Sequence, residues 1–312
     1  MPAAQQFSGL KVPLGVAALP RERYSVTSDV LSYRRCGRLY GFEAERGYIP
    51  SQPTQRFVGT IIHQVLDRAH SHYMGKINPQ TKGTFPTDAD ISDYFTQVES
   101  SLRAHGVRAV SPTIRDYALT IVTAFNRVEG PGLYPLVRDT EHRLQSERGS
   151  YLLYGVVDVL AGSTTGGGPQ DIEIWDYKGT KAPKPGSKEG ARILQDYEFQ
   201  MQVYSELYRL RNGKSPTRAV IYFVGEFGLK PTPNSRPPRA MLDVNLSSAK
   251  SQVALGEFDK TVDDIRNART SNKWLPPAGG SKWAGKETCD LCDVRWSCPI
   301  MGGAYKVNPR YP

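Results

Sequence analysis

The sequence predicts an α/β fold: a mixed central sheet flanked by helices, with a helical lobe ahead of it. Three observations carry this. Residues 57–73, 87–106 and 112–130 repeat apolar side chains at helical spacing, so the first third of the chain is mainly helical. Residues 140–246 then hold β-rich runs such as 151–161 and 217–226, bounded by turn residues. A further helical pattern at 191–212 stands between those runs, as it does where a sheet is covered by helices.

Residues 1–24 carry few structural signals and read as an extended lead-in. From Ser25 to Tyr48 the pattern reads as a helix capped by Thr27 or Ser28, with Val30, Leu31, Tyr33 and Tyr40 at its apolar positions. Pro50 and Pro53 end it. The next helix, 57–73, lines up Ile61, Ile62, Val65, Leu66 and Ala69 on one face and carries His63. Ser111-Pro112 separates the two helices that follow. Residues 140–148 alternate as a half-exposed strand does, and 151–161 with 171–179 form an antiparallel hairpin around the Gly/Thr loop 162–169. A Lys/Pro/Gly segment, 180–190, leads into the helix 191–212, whose buried stripe is Phe199, Val203, Leu207 and Leu210. The strand 217–226 is apolar enough to be central in a sheet. A short strand, 240–246, and a helix, 248–270, precede a Pro/Gly-rich end, 271–312.

The chain has 312 residues, 39% hydrophobic and 23% charged, which suffices for one large core or two moderate ones. That apolar content excludes wholesale disorder. No window approaches the ~18 uncharged apolar residues of a membrane span, so no membrane partner is expected. The opening residues lack the unbroken apolar run of a secretory leader, so a soluble cytoplasmic protein in a reducing compartment is expected. The net charge of +9 is segregated: both ends and residues 209–250 are basic, while 86–160 and 251–265 are acidic. Such segregation favours a polyanionic partner, nucleic acid above all.

Asp158 interrupts the apolar run GVVDVL, and Asp176 interrupts IEIWDYKG, with Lys178 two residues on. Side chains two apart on a strand share a face, so Asp176 and Lys178 point the same way. If Asp158 on the paired strand joins them, two carboxylates and an ammonium converge. Two carboxylates can hold Mg2+ or Mn2+ over a phosphodiester, and the lysine can meet the charge that develops on phosphorus. A surface ion pair is the better explanation of Asp176 and Lys178 when they stand alone, because Asp-x-Lys is common by chance. Asp158 between two valines is harder to explain without a partner or a metal.

The order Gly155-x-x-Asp158, hairpin, Asp176-x-Lys178 resembles the core of the PD-(D/E)XK nucleases, and within them the RecB-like branch. Gly59-x-x-x-His63 upstream and Gln200-x-x-x-Tyr204 in the helix after the lysine complete the likeness, over roughly residues 25–300. The resemblance implies a restriction-endonuclease-like fold. It makes His63, Asp158 and Asp176 ligands of Mg2+ or Mn2+, with the backbone carbonyl of Tyr177 completing the set, and Lys178 the catalytic lysine. Gln200 and Tyr204, four apart on one helical face, brace the site or contact the substrate. The second acid is Asp where Glu is commoner, and the family accepts either.

Four cysteines are present, and Cys289-x2-Cys292-x5-Cys298 has the spacing of a metal or cluster clasp, with Cys36 left as fourth ligand. Zinc, free or paired thiols and an iron–sulfur cluster compete, and without a leader disulfides are disfavoured. One distant Cys before the core and three after it resemble the iron–sulfur RecB-like nucleases, among them the CRISPR-associated exonucleases, exonuclease V and the AddB nuclease domain. The resemblance therefore implies a 4Fe-4S cluster on Cys36, Cys289, Cys292 and Cys298, forming a C-terminal clasp that staples the chain ends. Nearby Trp283 and Trp296 are expected to pack around it or to stack bases along a single-strand path.

These readings lead to a metal-dependent deoxyribonuclease acting on single-stranded DNA or DNA ends, in repair or antiviral defence. The alternative is a non-catalytic DNA-end-binding adaptor subunit of a helicase–nuclease or CRISPR adaptation complex. No Walker A sequence is present, so unwinding would require a separate helicase partner. The organisation expected is a lead-in (1–24), a helical lobe with Cys36 and His63 (25–135), the nuclease core (136–246) and a C-terminal helix with the cluster segment (247–312), as one continuous unit.

Overall fold

The computed structural model describes residues 22–48, 54–168, 170–277, 289, 292–295 and 298–300. A six-stranded mixed sheet runs β1 (Glu22–Ser25), β3 (Tyr151–Gly162), β4 (Ile172–Lys178), β5 (Arg218–Phe223) and β6 (Met241–Val244), with β2 (Val137–Arg148) paired to β3. The pairs β1–β3 and β4–β5 are parallel, and β2–β3, β3–β4 and β5–β6 are antiparallel. The expected mixed sheet and the β3–β4 hairpin are therefore present.

The N-terminal segment departs from the single helix expected from Ser25. After β1, the chain forms a π-helical stretch (Val26–Leu31), one turn of α1 (Ser32–Arg35), one turn of α2 (Gly37–Tyr40) and a second π-helical stretch (Gly41–Glu45). The break falls at Cys36, whose extended backbone (φ −162°, ψ 104°) cannot continue a helix. Its sulfur instead accepts the Leu39 N–H at 3.5 Å. The lead-in expected over 1–24 ends in a strand, because Glu22–Ser25 pairs with Tyr151–Tyr154.

Helices α3 (Thr54–Tyr73), α4 (Asp88–Ala104) and α5 (Pro112–Leu133) pack on one face of the sheet. Thr87 caps α4 in a reciprocal capping box with Asp90, and Ser111 caps α5 at its Pro112 start. Their apolar faces, with Ile61, Ile62, Val65, Phe95 and Phe125, bury Trp175, Tyr177, Val220 and Tyr222 of the sheet. The opposite face is covered by α6 (Lys188–Asn212), α7 (Ser248–Ser271) and the N-terminal turns, which bury Leu153, Val157, Ile174, Ile221 and Phe258. At roughly 1.5–3 kcal/mol for each fully buried large apolar side chain, these two layers dominate the favourable side of folding. No helix among the described residues is long and apolar enough to cross a membrane.

One departure from regular alternation positions the site. Val157 packs in the α6–α7 layer, whereas Val159, two residues on, packs in the α3–α5 layer. In an even strand they would share a face. The phase changes across Asp158, beside Glu141 of β2, which takes a left-handed backbone (φ +48°) rare for a residue with a side chain.

Candidate active site

The register of β3 opens a cleft. Strand β2 covers one edge along nearly its whole length. On the other edge β1 takes Tyr151–Tyr154 and β4 takes Val159–Gly162, so residues 155–158 meet no strand there. A cleft of about 750 Å³ lies over this gap, lined from α3 by Gly59 and His63, from β3 by Gly155 and Asp158, from β4 by Asp176 and Lys178, and from α6 by Gln200 and Tyr204. Every residue in the four spaced patterns read from the sequence thus comes to one place. Tyr177 does so through its backbone: its N–H donates to Asp158 Oδ2 at 2.6 Å, while its ring turns into the opposite layer.

The charges are strongly coupled. His63 Nδ1 lies 3.1 Å from Asp158 Oδ1. Burial alone would lower the imidazole pKa, but the Asp158 carboxylate outweighs it and lifts it to about 9. Burial raises Asp158 in turn, yet His63 and the Tyr177 N–H hold it below the usual carboxylate range. Asp176, equally enclosed, is pushed up by burial and by the Asp158 charge despite Lys178 beside it. Lys178 Nζ lies 2.6 Å from Asp176 Oδ2, and this ionic contact keeps the ammonium charged against the burial that opposes it. Beyond this ion pair, the buried Oδ2 has no directed hydrogen bond among the described residues.

Helix α6 holds this array through one amide. Gln200 Nε2 donates to Asp176 Oδ1 at 2.6 Å, and its Oε1 accepts from Lys178 Nζ at 3.1 Å. One turn on, the Tyr204 hydroxyl lies against Gln200 and the Val156 backbone, at the strand edge that lacks a neighbour. A Cβ on residue 155 would come within 2.6 Å of the Tyr204 ring, so Gly155 is what lets that ring reach β3.

Two residues that the sequence reading left without a role join the site. Glu141 places a carboxylate oxygen within 4.8 Å of ligand atoms of His63 and Asp158, the one such trio of potential metal ligands among the described residues. Its carboxylate is open to solvent, yet crowding by protein atoms and then the Asp158 charge push it up to about 7. Tyr197, one turn before Gln200, presents its ring 4.6 Å from Lys178 Nζ. Asp176 stands beside this trio, tied to Lys178 and Gln200.

A family model described as the PD-(D/E)XK nuclease superfamily matches residues 24–299. The chain belongs to the PD-(D/E)XK nuclease superfamily. Its fold is similar to the crystal structure of a "putative exonuclease" from Eubacterium rectale, with a TM-score of 0.51 at 15% identity, covering 92% of this chain and 94% of that one. Protein VC1899 from Vibrio cholerae overlaps 77% of this chain and 55% of its own at 12% identity, and its TM-score of 0.22 carries no weight. No curated protein matches.

PD-(D/E)XK nucleases use divalent metals, and the residues present fit such an ion. Asp158, Glu141 and Asp176 supply oxygen ligands of the kind Mg2+ and Mn2+ prefer, and His63 a nitrogen; the buried Asp176 Oδ2, paired with Lys178 but without a directed hydrogen bond, retains a lone pair. Burial and then the Asp158 charge lift both Asp176 and Glu141, and a cation between the carboxylates would offset them. At the chain ends the four cysteines of this nuclease also gather. Burial and then Cys36, Cys289 and Cys298 raise the Cys292 thiol to about 11, so the four thiols lie within electrostatic reach of one another. Successive turn bonds, Cys292 N–H to Cys289 O (3.3 Å) and Cys298 N–H to Arg295 O (3.1 Å), curl their segment. Trp283 and Trp296 lie outside the described residues.

Proposed function

We propose that this chain is a Mg2+- or Mn2+-dependent deoxyribonuclease of the RecB-like branch, hydrolysing phosphodiester bonds of single-stranded DNA or DNA ends. The observation that carries the reading is the convergence of His63, Asp158, Asp176 and Lys178 in one cleft, on three different elements braced by Gln200. His63, Asp158, Asp176, the Tyr177 carbonyl and Glu141 would hold the metal. When bound, the ion supplies Lewis acidity to the phosphodiester and favours water as a nucleophile. The protein does the rest. Lys178, kept charged by Asp176, faces the negative charge that builds on the phosphoryl oxygens. Gln200 bridges Asp176 and Lys178 and so fixes the position of both side chains. Tyr204 and Tyr197 fix the helix and the lysine against the strand edge. Water adds to phosphorus in line, the bond to the 3′-oxygen breaks and that oxygen takes a proton, giving a 5′-phosphate and a 3′-hydroxyl. A complete set of carboxylates and lysine supports catalysis over an adaptor role.

We further propose that Cys36, Cys289, Cys292 and Cys298 carry a 4Fe-4S cluster, in one continuous unit made of a helical lobe (25–135), nuclease core (136–246) and C-terminal segment (247–312). Support comes from the gathering of the four thiols and from β1, an N-terminal strand, sharing the core sheet. A repair or defence setting with a separate helicase fits this reading. Labelled single-stranded DNA incubated with anaerobically purified protein and Mn2+ should be degraded, and a chelator control should stop it. Intact DNA under both conditions overturns the nuclease. Zinc in place of iron and sulfide in the same preparation overturns the cluster.

A further inference from the structure

We propose that Arg143 and the Arg23–Tyr154 pair form a phosphate-binding track that carries a nucleic-acid strand away from the catalytic centre along the β2–β3 ribbon. The proposal rests on the nuclease reading and assigns the side of the cleft on which the strand continues. Tyr154, Val156 and Asp158 alternate along β3, and all three line the cleft. Arg143 of β2 stands beside Val156 in register and lines the cleft as well. A two-residue step on a strand is about 7 Å, the same order as the step between neighbouring phosphates of an extended single strand. With the scissile phosphate over Asp158, the next one therefore falls at Arg143 and the one after it at Tyr154.

The side chains suit that task. Arg143 is exposed, and among the described residues its guanidinium makes no ion pair. Its carbonyl accepts from Arg211 at 2.7 Å, which steadies the strand beneath it and brings a second guanidinium alongside. At the next step the exposed Arg23 guanidinium lies 3.5 Å from the centre of the Tyr154 ring, a stack that leaves its N–H donors facing outward. The cleft also requires cations of this kind. Asp67, Glu141, Asp158 and Asp176 line it with four carboxylates against Lys178, His63 and, at the α3 side, Arg56, so the β2–β3 side needs positive charge of its own to hold a polyanion.

The test is the salt dependence of binding. A short fluorescent oligothymidylate is titrated with wild-type, Arg143→Ala, Arg143→Lys, Arg23→Ala and Arg108→Ala proteins, with Ca2+ in place of the catalytic metal. Each lost phosphate contact should flatten the slope of log affinity against log salt by about 0.7. Arg143→Ala and Arg23→Ala are expected to show this loss with a several-fold weaker Kd, and Arg143→Lys to keep the slope. Arg108→Ala, which removes an exposed guanidinium in the α4–α5 connection that makes no ion pair among the described residues, should change neither. An unchanged slope for Arg143→Ala, or an equal loss for Arg108→Ala, overturns the track. Wild-type protein that neither binds nor cleaves overturns the nuclease reading instead.

Discussion

At the level of single residues, the site is governed by how much negative charge sits in a small enclosed volume. Asp176 and Glu141 are both raised, and Asp158 escapes that fate only because His63 and the Tyr177 N–H hold it. Removing one carboxylate should therefore weaken metal binding without unfolding the protein. Glu141→Gln is expected to raise the Mn2+ concentration needed for half-maximal cleavage by roughly 10- to 100-fold, the range seen when groups supporting a metal are lost. An unchanged metal requirement would remove Glu141 from the site. Lys178→Ala should lower kcat by about 100- to 1000-fold, as expected for loss of one group that meets transition-state charge, with DNA binding nearly intact. Binding by fluorescence anisotropy alongside single-turnover cleavage separates the two effects.

Among the secondary-structure elements, one contact shapes the site and another joins the chain ends. Gly155 admits the Tyr204 ring, so Gly155→Ala forces the ring or strand to move, at a cost of about 1–3 kcal/mol. The expected outcome is a modest drop in Tm with a larger drop in kcat, because Gln200 moves with its helix; equal kcat at the wild-type level contradicts this coupling. The second contact joins the chain ends. Trp274 packs on Tyr33, Tyr40 and Gly41, and Arg269 bridges Glu22 and Glu45. Trp274→Ala should cost about 3–5 kcal/mol, read from denaturant unfolding, even in metal-free protein. The ends are thus held by packing and ion pairs in addition to any cluster.

Helix α7 also ties the β2–β3 turn, since Asp259 accepts from Arg148 (Nε, 2.8 Å) and from the Tyr151 hydroxyl. Burial raises the Asp259 carboxyl, but those hydrogen bonds outweigh it and hold it below its ordinary value. A carboxylate held low stabilises the fold fully above its unfolded-state pKa, and loses that contribution as pH falls through the folded one. Asp259→Asn should therefore lower Tm at pH 7, and its deficit against wild type should shrink as pH drops below about 4. A deficit that does not change with pH would show that packing, not charge, is at stake.

Taken as a whole, the molecule is a sheet clad by helices with its chemistry at a break in strand pairing. Much of this was legible in the sequence. Asp176 with Lys178, and Gln200 with Tyr204, lie in short local patterns whose spacing already specifies a shared face, Asp158 stands out as a carboxylate in an apolar strand, and His63 sits on a clearly periodic helix. Glu141 was not legible, because its place depends on the register of β2 against β3 and on a left-handed backbone that no propensity favours. Nor was β1, whose four residues become a strand only by parallel pairing with residues 151–154 far along the chain. The N-terminal segment differs from the single helix its pattern predicts for a related reason: apolar spacing continues through Cys36, while the backbone breaks there.

Whether this cleft cuts DNA with a metal held by its carboxylates is read from Mn2+-dependent cleavage of labelled single-stranded DNA by wild-type, Asp158→Ala and Asp176→Ala proteins, each shown to be folded by circular dichroism. Wild type should cleave and neither variant should, with DNA binding retained by both. Folded variants that cleave as fast as wild type would contradict this role of the carboxylates.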